Sequence, residues 1–163
     1  MNLYLMQHGA CLPQEVNPNQ PLSPVSQSQV ATTAQAMRVM GLWFDALLTS
    51  PRRAAVQTTG IVAEGMGYAP SSITQFAGLE AGVSLKFCLE ELRACERYQS
   101  VFLCGELPLL GDLASHLLTS GPKLSLALEG GALMAIGITS LGSRAGTLRW
   151  LLQGPQLQMI ASS

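Results

Sequence analysis

Apolar and polar positions along this chain follow two periods, one suited to strands and one to helices. The run Asn2-Leu3-Tyr4-Leu5-Met6 stops abruptly at Gln7-His8-Gly9. Leu3, Tyr4, Leu5 and Met6 suit a sheet, and Gly9 lets the backbone turn sharply, so the pattern predicts a first strand with the His8 imidazole projecting from its tip. A polar, proline-rich connection runs from Cys11 to Pro21. Ser23-Pro24 then predicts a helix start, with Ser as cap and Pro at the first helical position. That helix is expected to run to Met40, before Gly41. Asp45-Ala46-Leu47-Leu48 predicts a second strand ending at Thr49-Ser50-Pro51. Arg52 to Met66 predicts a helix with Ala55, Thr58, Thr59, Val62 and Met66 toward the core.

The second half repeats the alternation. A short third strand is expected near Ile73 to Phe76, and Val83 to Tyr98 has Leu85, Leu89 and Leu92 at helical spacing. Val101-Phe102-Leu103-Cys104 is a compact apolar strand stopped by Gly105, followed by a helix from about Leu107 to Leu118. Leu124 to Leu128 and Ala132 to Thr139 flank Glu129-Gly130-Gly131 in a hairpin pattern, and Leu148 to Leu152 predicts a last strand. Repeated strand-helix alternation predicts one α/β domain over residues 1–163. Its expected build is a three-layer α/β/α, a mostly parallel central sheet with helices on both faces. Ligands of such sheets sit at the carboxyl ends of the strands. His8, Ser50 and Glu106 all fall there.

Composition narrows the function. The chain has 163 residues, enough for one core of its own, with 48% apolar and 12% charged residues. The charged share is about half of the ~25% usual in soluble domains, so more apolar surface than usual is expected outside the core, and a homo-oligomer is compatible with it. A net charge of -1 gives no electrostatic case for nucleic acid. No window approaches the ~18 to 20 apolar residues of a membrane helix. The N-terminus has neither the basic flank nor the apolar stretch of a signal peptide, so a soluble cytoplasmic chain is expected. Cys11, Cys88, Cys95 and Cys104 show no Cys-x-x-Cys spacing and have only His8 and His116 beside them. They read as reduced, mostly buried thiols. No metal and no cofactor are expected: His8 and Glu106 suit several divalent ions, but two ligands are too few.

Three segments carry the chemistry. Gln7-His8-Gly9 is followed by Pro21-Leu22-Ser23; Leu48-Thr49-Ser50-Pro51 is followed by Gln57-Thr58; and Gly105-Glu106-Leu107-Pro108-Leu109-Leu110 closes the set. In that order and on those elements, they resemble the histidine phosphatase superfamily over nearly the whole chain, and specifically its phosphohistidine phosphatase branch. That family places Arg-His-Gly after the first strand, Ser-Pro-x-x-Arg-Ala-x-Gln-Thr after the second, and Ser-His or Gly-His before Leu-Pro. The resemblance implies a phosphoglycerate-mutase-like fold and phosphoryl transfer onto His8, followed by hydrolysis. It also implies a phosphorylated protein or a small phosphate ester as partner. His8 and Glu106 take the catalytic positions. Gln7, Gly9, Ser50 and Arg53 fall in the phosphate-binding part.

This chain departs from the family at three places. Gln7 replaces the first arginine and keeps hydrogen-bond donors without charge. Ala54 stands at the second arginine, with Arg53 one residue earlier; on a helix one residue is a rotation of ~100°, so Arg52 or Arg53 must reach round. Glu106 stands for the second histidine, turning a donor to phosphate into a negative acceptor. Two like charges ~4 Å apart cost about 4 kcal/mol at an effective dielectric of 20. Each charge-assisted hydrogen bond lost removes a further ~1.5 to 3 kcal/mol. Ordinary phosphohistidine phosphatase activity is therefore expected to be weak or absent. The alternative is a non-catalytic binding or regulatory domain, with His8 retaining only a structural hydrogen bond. Glu80 lies roughly where larger relatives carry a proton-donating acid, while His116 and Cys104 read as structural. Cys104 lacks the Cys-x5-Arg loop of cysteine phosphatases.

Overall fold

A computed structural model describes residues 1–163. Its centre is β1 (Asn2–Gln7), which pairs in parallel with β4 (Ser100–Gly105) on one side and antiparallel with β5 (Leu133–Gly137) on the other. Beyond β4 come β2 (Ala46–Thr49) and β3 (Ile73–Gln75), both parallel, and beyond β5 lies β6 (Thr147–Leu152), antiparallel to it. The six-stranded sheet thus has the order β3-β2-β4-β1-β5-β6. Only β5 runs against the rest. All six residues of β4 are buried, the continuous apolar run of a strand covered on both faces.

The pleat sends alternate side chains to two cores. Leu3, Leu5, Val101 and Leu103 face the layer made by α3 (Leu85–Leu92) and α4 (Leu109–Leu118). Met6, Phe102 and Cys104 face α1 (Pro24–Val39), α2 (Arg53–Met66) and α5 (Gly154–Ala161). This is the expected three-layer α/β/α arrangement with a mostly parallel central sheet. Ser23 caps α1 by accepting from the Ser26 amide at 3.1 Å, as its Ser-Pro start implied. Gly67 ends α2 at φ 82°, the left-handed conformation that favours glycine. No helix is long and apolar enough to cross a membrane.

Several boundaries differ from the sequence pattern. The helix foreseen over Val83 to Tyr98 is shorter, Leu85–Leu92, and tightens into a 3₁₀ turn at Arg93–Cys95. The hairpin about Glu129-Gly130-Gly131 does not form. Residues 124–128 are not a strand, and β5 pairs with β1 and β6 instead. The reason lies in hydrogen bonding and burial. Leu133, Met134, Ala135 and Ile136 are buried, which suits a strand next to the centre of the sheet. The preceding loop satisfies its backbone elsewhere: the Gln153 amide donates to Ala127 O at 2.7 Å and accepts from Glu129 N at 3.1 Å, while Ser115 Oγ accepts from Leu124 N. Helix α5 was not foreseen. Its capping box, Gln153 with Gln156, uses residue types weaker than the Ser/Thr and Glu that mark such starts.

Candidate active site

Three neighbouring parallel strands, β2, β4 and β1, deliver Ser50, Glu106 and His8 to one end of the sheet. The His8 amide donates to Gly105 O at 3.0 Å, extending the β1–β4 ladder by one residue. His8 is 7% exposed. Nδ1 lies 2.7 Å from Gly9 O; a carbonyl only accepts, so a proton sits on Nδ1, and it is Nε2 that faces the site. Gly9 is held in turn by Thr58 on α2, whose hydroxyl accepts from Gly9 N at 3.1 Å and donates to Ala54 O at 2.7 Å. Space at Gly9 is tight: a Cβ there would meet Leu22 Cδ2 at 3.0 Å and Val30 Cγ2 at 3.1 Å.

Opposite Nε2 stands a carboxylate. Glu106 Oε2 is 3.7 Å from His8 Nε2 and 2.5 Å from Arg52 Nη1. Nε2 and Glu106 Oε1 are both buried without a hydrogen-bond partner. Arg52 precedes α2 in extended conformation, φ -60° and ψ 137°. Its amide donates to Ser50 Oγ at 3.2 Å and its Nη2 reaches Gln20 Oε1 at 3.4 Å. Gln7 Oε1 accepts from Leu107 N at 3.0 Å and so ties the end of β1 to the loop that carries Glu106. Gln57 does the same for the other loop, accepting from Leu22 N at 2.8 Å.

The candidate residues therefore gather unevenly. His8, Gly9, Ser50, Gln7 and Glu106 converge, whereas Arg53 occupies the first turn of α2 and makes no ion pair. The guanidinium at the site belongs to Arg52. A cleft of about 260 Å³ opens beside it, walled by Leu79, Val83, Leu107, Pro108 and Leu109 and charged by Arg52, Glu80, Glu106 and Asp112. Lys123 pairs with Asp112. Glu80 is thus part of the same cleft, while His116 lies outside it on α4. No group of three or more His, Cys, Asp or Glu side chains gathers where a metal ion could be held. Cys104 is fully buried, and burial pushes its thiol up to about 12 despite a hydrogen bond from Thr59. It is a core residue, not a nucleophile. Two residues of the site had little sequence signal. Thr58 was visible only as a core-facing position and in the Gln57-Thr58 pair, and Gln20 had none.

No family model matches the chain, and no curated protein matches it in sequence. Solved structures do match. The protein histidine phosphatase SixA complexed with tungstate superposes with a TM-score of 0.84 at 22% identity, covering 96% of this chain and 99% of that one. The fold is that of the histidine phosphatases. A putative phosphohistidine phosphatase SixA from Agrobacterium tumefaciens has a TM-score of 0.73 at 17% identity, with 93% and 97% of the two chains covered. A putative alpha-ribazole-5'-P phosphatase from Escherichia coli gives 0.73 at 15% identity, over 94% and 98%. At such identities the likeness is one of architecture. What the sheet gives here is position: His8 follows β1 at the carboxyl edge, beside the loop after β4.

Proposed function

We propose that this chain is a phosphohistidine-phosphatase-like protein whose site for phosphoryl transfer to His8 is altered and weak or inactive. One observation carries this reading: the Glu106 carboxylate lies between the would-be nucleophile and the nearest guanidinium, 3.7 Å from His8 Nε2 and 2.5 Å from Arg52 Nη1. His8 itself is suitably prepared, since Nδ1–H on Gly9 O leaves Nε2 free to attack. The electrostatics oppose it. A phosphoryl dianion reaching Nε2 meets Glu106 at about 4 Å, worth about 4 kcal/mol at an effective dielectric of 20, or roughly a thousandfold in rate. Arg52 cannot offset this fully, because its charge is already compensated by Glu106. Displacing Glu106 from Arg52 would strand a part-buried carboxylate.

A non-catalytic binding or regulatory role is the second reading, favoured by the two unpartnered polar atoms Nε2 and Oε1 at the centre of the site. Under either reading the partner is a phosphorylated protein or small phosphate ester only if Glu106 swings aside. The four free cysteines fit a reducing, cytoplasmic setting.

The test is phosphate release from phosphohistidine and from an activated aryl phosphate, with wild type, His8→Ala and Glu106→His at matched, high enzyme concentration. Wild type is expected to match His8→Ala, with turnover rising at least tenfold above both in Glu106→His. Wild-type turnover that vanishes in His8→Ala and is not raised in Glu106→His would overturn the reading.

A further inference from the structure

We infer that the groove between α3 and α4 docks an acidic segment of a partner protein, extended along α3, with carboxylates on Arg144 and Arg93 and an apolar side chain between them on Leu85 and Leu89. The inference goes beyond the reading of His8 and holds whether or not phosphate is transferred there.

Two adjoining hollows make the groove. The lining of the first, about 300 Å³, includes Leu85, Ser115, His116, Lys123 and Arg144. That of the second, about 390 Å³, includes Leu85, Lys86, Leu89, Arg93 and His116. Leu85 and His116 belong to both, so the hollows are continuous. Asp112 joins the first to the cleft beside Glu106, and the groove therefore leads away from the candidate active site. Each hollow holds one carboxylate, and each carboxylate is matched: Asp112 pairs with Lys123, and Glu90 lies 3.9 Å from Lys86. Arg93 and Arg144 are left over, both exposed and neither in an ion pair.

The excess of positive charge is local. The groove uses four of the chain's nine lysines and arginines and two of its ten acidic residues, a surplus of two positive charges on a molecule of net charge -1. The rest of the molecule thus carries -3, and its field turns an acidic partner toward this face. Each free guanidinium is a planar fork that matches a carboxylate bidentately. Apolar surface separates the two: Leu85 and Leu89 are half-buried and one helical turn apart on α3. A free anion fills one hollow and makes no use of the leucines. A nucleic acid draws its affinity from many phosphate contacts, and two unmatched cations are too few for it. A peptide supplies both chemistries at the right spacing. Leu85 to Arg93 is eight steps of ~1.5 Å, about 12 Å along the helix. An extended peptide sets its first, third and fifth side chains on one face over about 13 Å, so acid, apolar and acid in that order fit the groove.

The probe is the blocked peptide acetyl-Glu-Ser-Leu-Ser-Glu-amide, titrated into isotope-labelled protein at low salt, where surface charges are least screened, while amide NMR shifts are followed. Wild type is expected to bind it saturably, with the shifts confined to α3, α4 and the loops that carry Lys123 and Arg144. Affinity is expected to fall about threefold in Arg93→Gln and in Arg144→Gln, and about tenfold in the double variant, as for two independent exposed charge pairs. Both arginines are exposed, so these variants keep the fold. Arg38→Gln, which removes an exposed arginine of α1, is expected to leave the affinity unchanged. Changing both Glu of the probe to Gln, or its Leu to Ser, is expected to weaken binding about fivefold or more. No saturable binding by wild type, or an affinity that neither single variant changes, would overturn the inference. Inorganic phosphate or a short single-stranded DNA binding as tightly as the peptide would overturn it too, since either result means a site that reads charge alone.

Discussion

Thr58 shows how the site depends on single atoms behind it. Its hydroxyl takes the Gly9 N–H and gives its proton to Ala54 O, and the residue is fully buried. Thr58→Val keeps the shape and removes both bonds, stranding a buried N–H at the turn that orients His8. Leaving such a donor unsatisfied costs about 1 to 3 kcal/mol. An unfolding free energy in urea lowered by that amount, through a lower midpoint at unchanged slope, is the expected result; a loss under about 0.5 kcal/mol, the range of an ordinary surface substitution, would mean that the turn holds itself. Of this chain of bonds the sequence disclosed His8, Gly9 and the core-facing position of Thr58, since strand tips and helical periodicity are written in residue type. The partnering of Thr58 with Gly9 is a contact across 49 positions, and no local pattern encodes it. The choice between Arg52 and Arg53 was undecided for a related reason. A rotation of ~100° per residue applies within a helix, and α2 begins at Arg53, so Arg52 lies in extended backbone outside that frame.

Helix α2, which presents Thr58, carries two internal glycines in opposite situations. At Gly60 an added Cβ meets nothing within 4 Å; at Gly65 it would lie 2.7 Å from Ala34 Cβ on α1. Helix propensity favours alanine at both by roughly 0.8 to 1.0 kcal/mol. Packing reverses the sign at one. Gly60→Ala is expected to stabilise by about 0.5 to 1 kcal/mol. Gly65→Ala is expected to destabilise, because overpacking costs roughly 1 to 3 kcal/mol and Ala34 is a fully buried residue of α1. Thermal melts of the two variants should move in opposite directions; a stabilised Gly65→Ala would mean that the α1–α2 crossing is looser than its geometry indicates. The same contrast explains which elements were legible. Strands β1 and β4 announce themselves as apolar runs, and α1 by its Ser-Pro start. The segment at 124–128 has an equally apolar look, yet it is a loop held by Gln153 and Ser115. Apolarity marked it for burial, and Leu128 is indeed core, but burial alone does not distinguish a strand from a packed loop.

At the scale of the molecule, each of the two cores contains a thiol that burial keeps from ionising. Cys88 packs with the α3–α4 layer and Cys104 with the α1–α2–α5 layer, and both thiols are pushed up to about 12 from the ordinary 9.0. These are raised values, so the stability they carry is complete below pH 9, where folded and unfolded thiols are alike protonated. Above it the unfolded chain loses protons that the folded chain keeps. Stability then falls with pH until about 12, by about 1.4 kcal/mol per pH unit for each thiol and about 2.7 for both. A domain of this kind is stable by only about 5 to 15 kcal/mol, so a decline sustained over that window brings it near unfolding. Unfolding free energies from urea curves between pH 8 and 11 are expected to drop, above pH 9, at least that steeply. Cys88→Ala and Cys104→Ala, each less stable at neutral pH through its cavity, are each expected to make it shallower by about 1.4 kcal/mol per pH unit, while Cys95 and Tyr4, also pushed up by burial, contribute to what remains. A slope that neither substitution changes would assign the alkaline loss to other groups, and would mean that the cores admit hydroxide more readily than their burial implies.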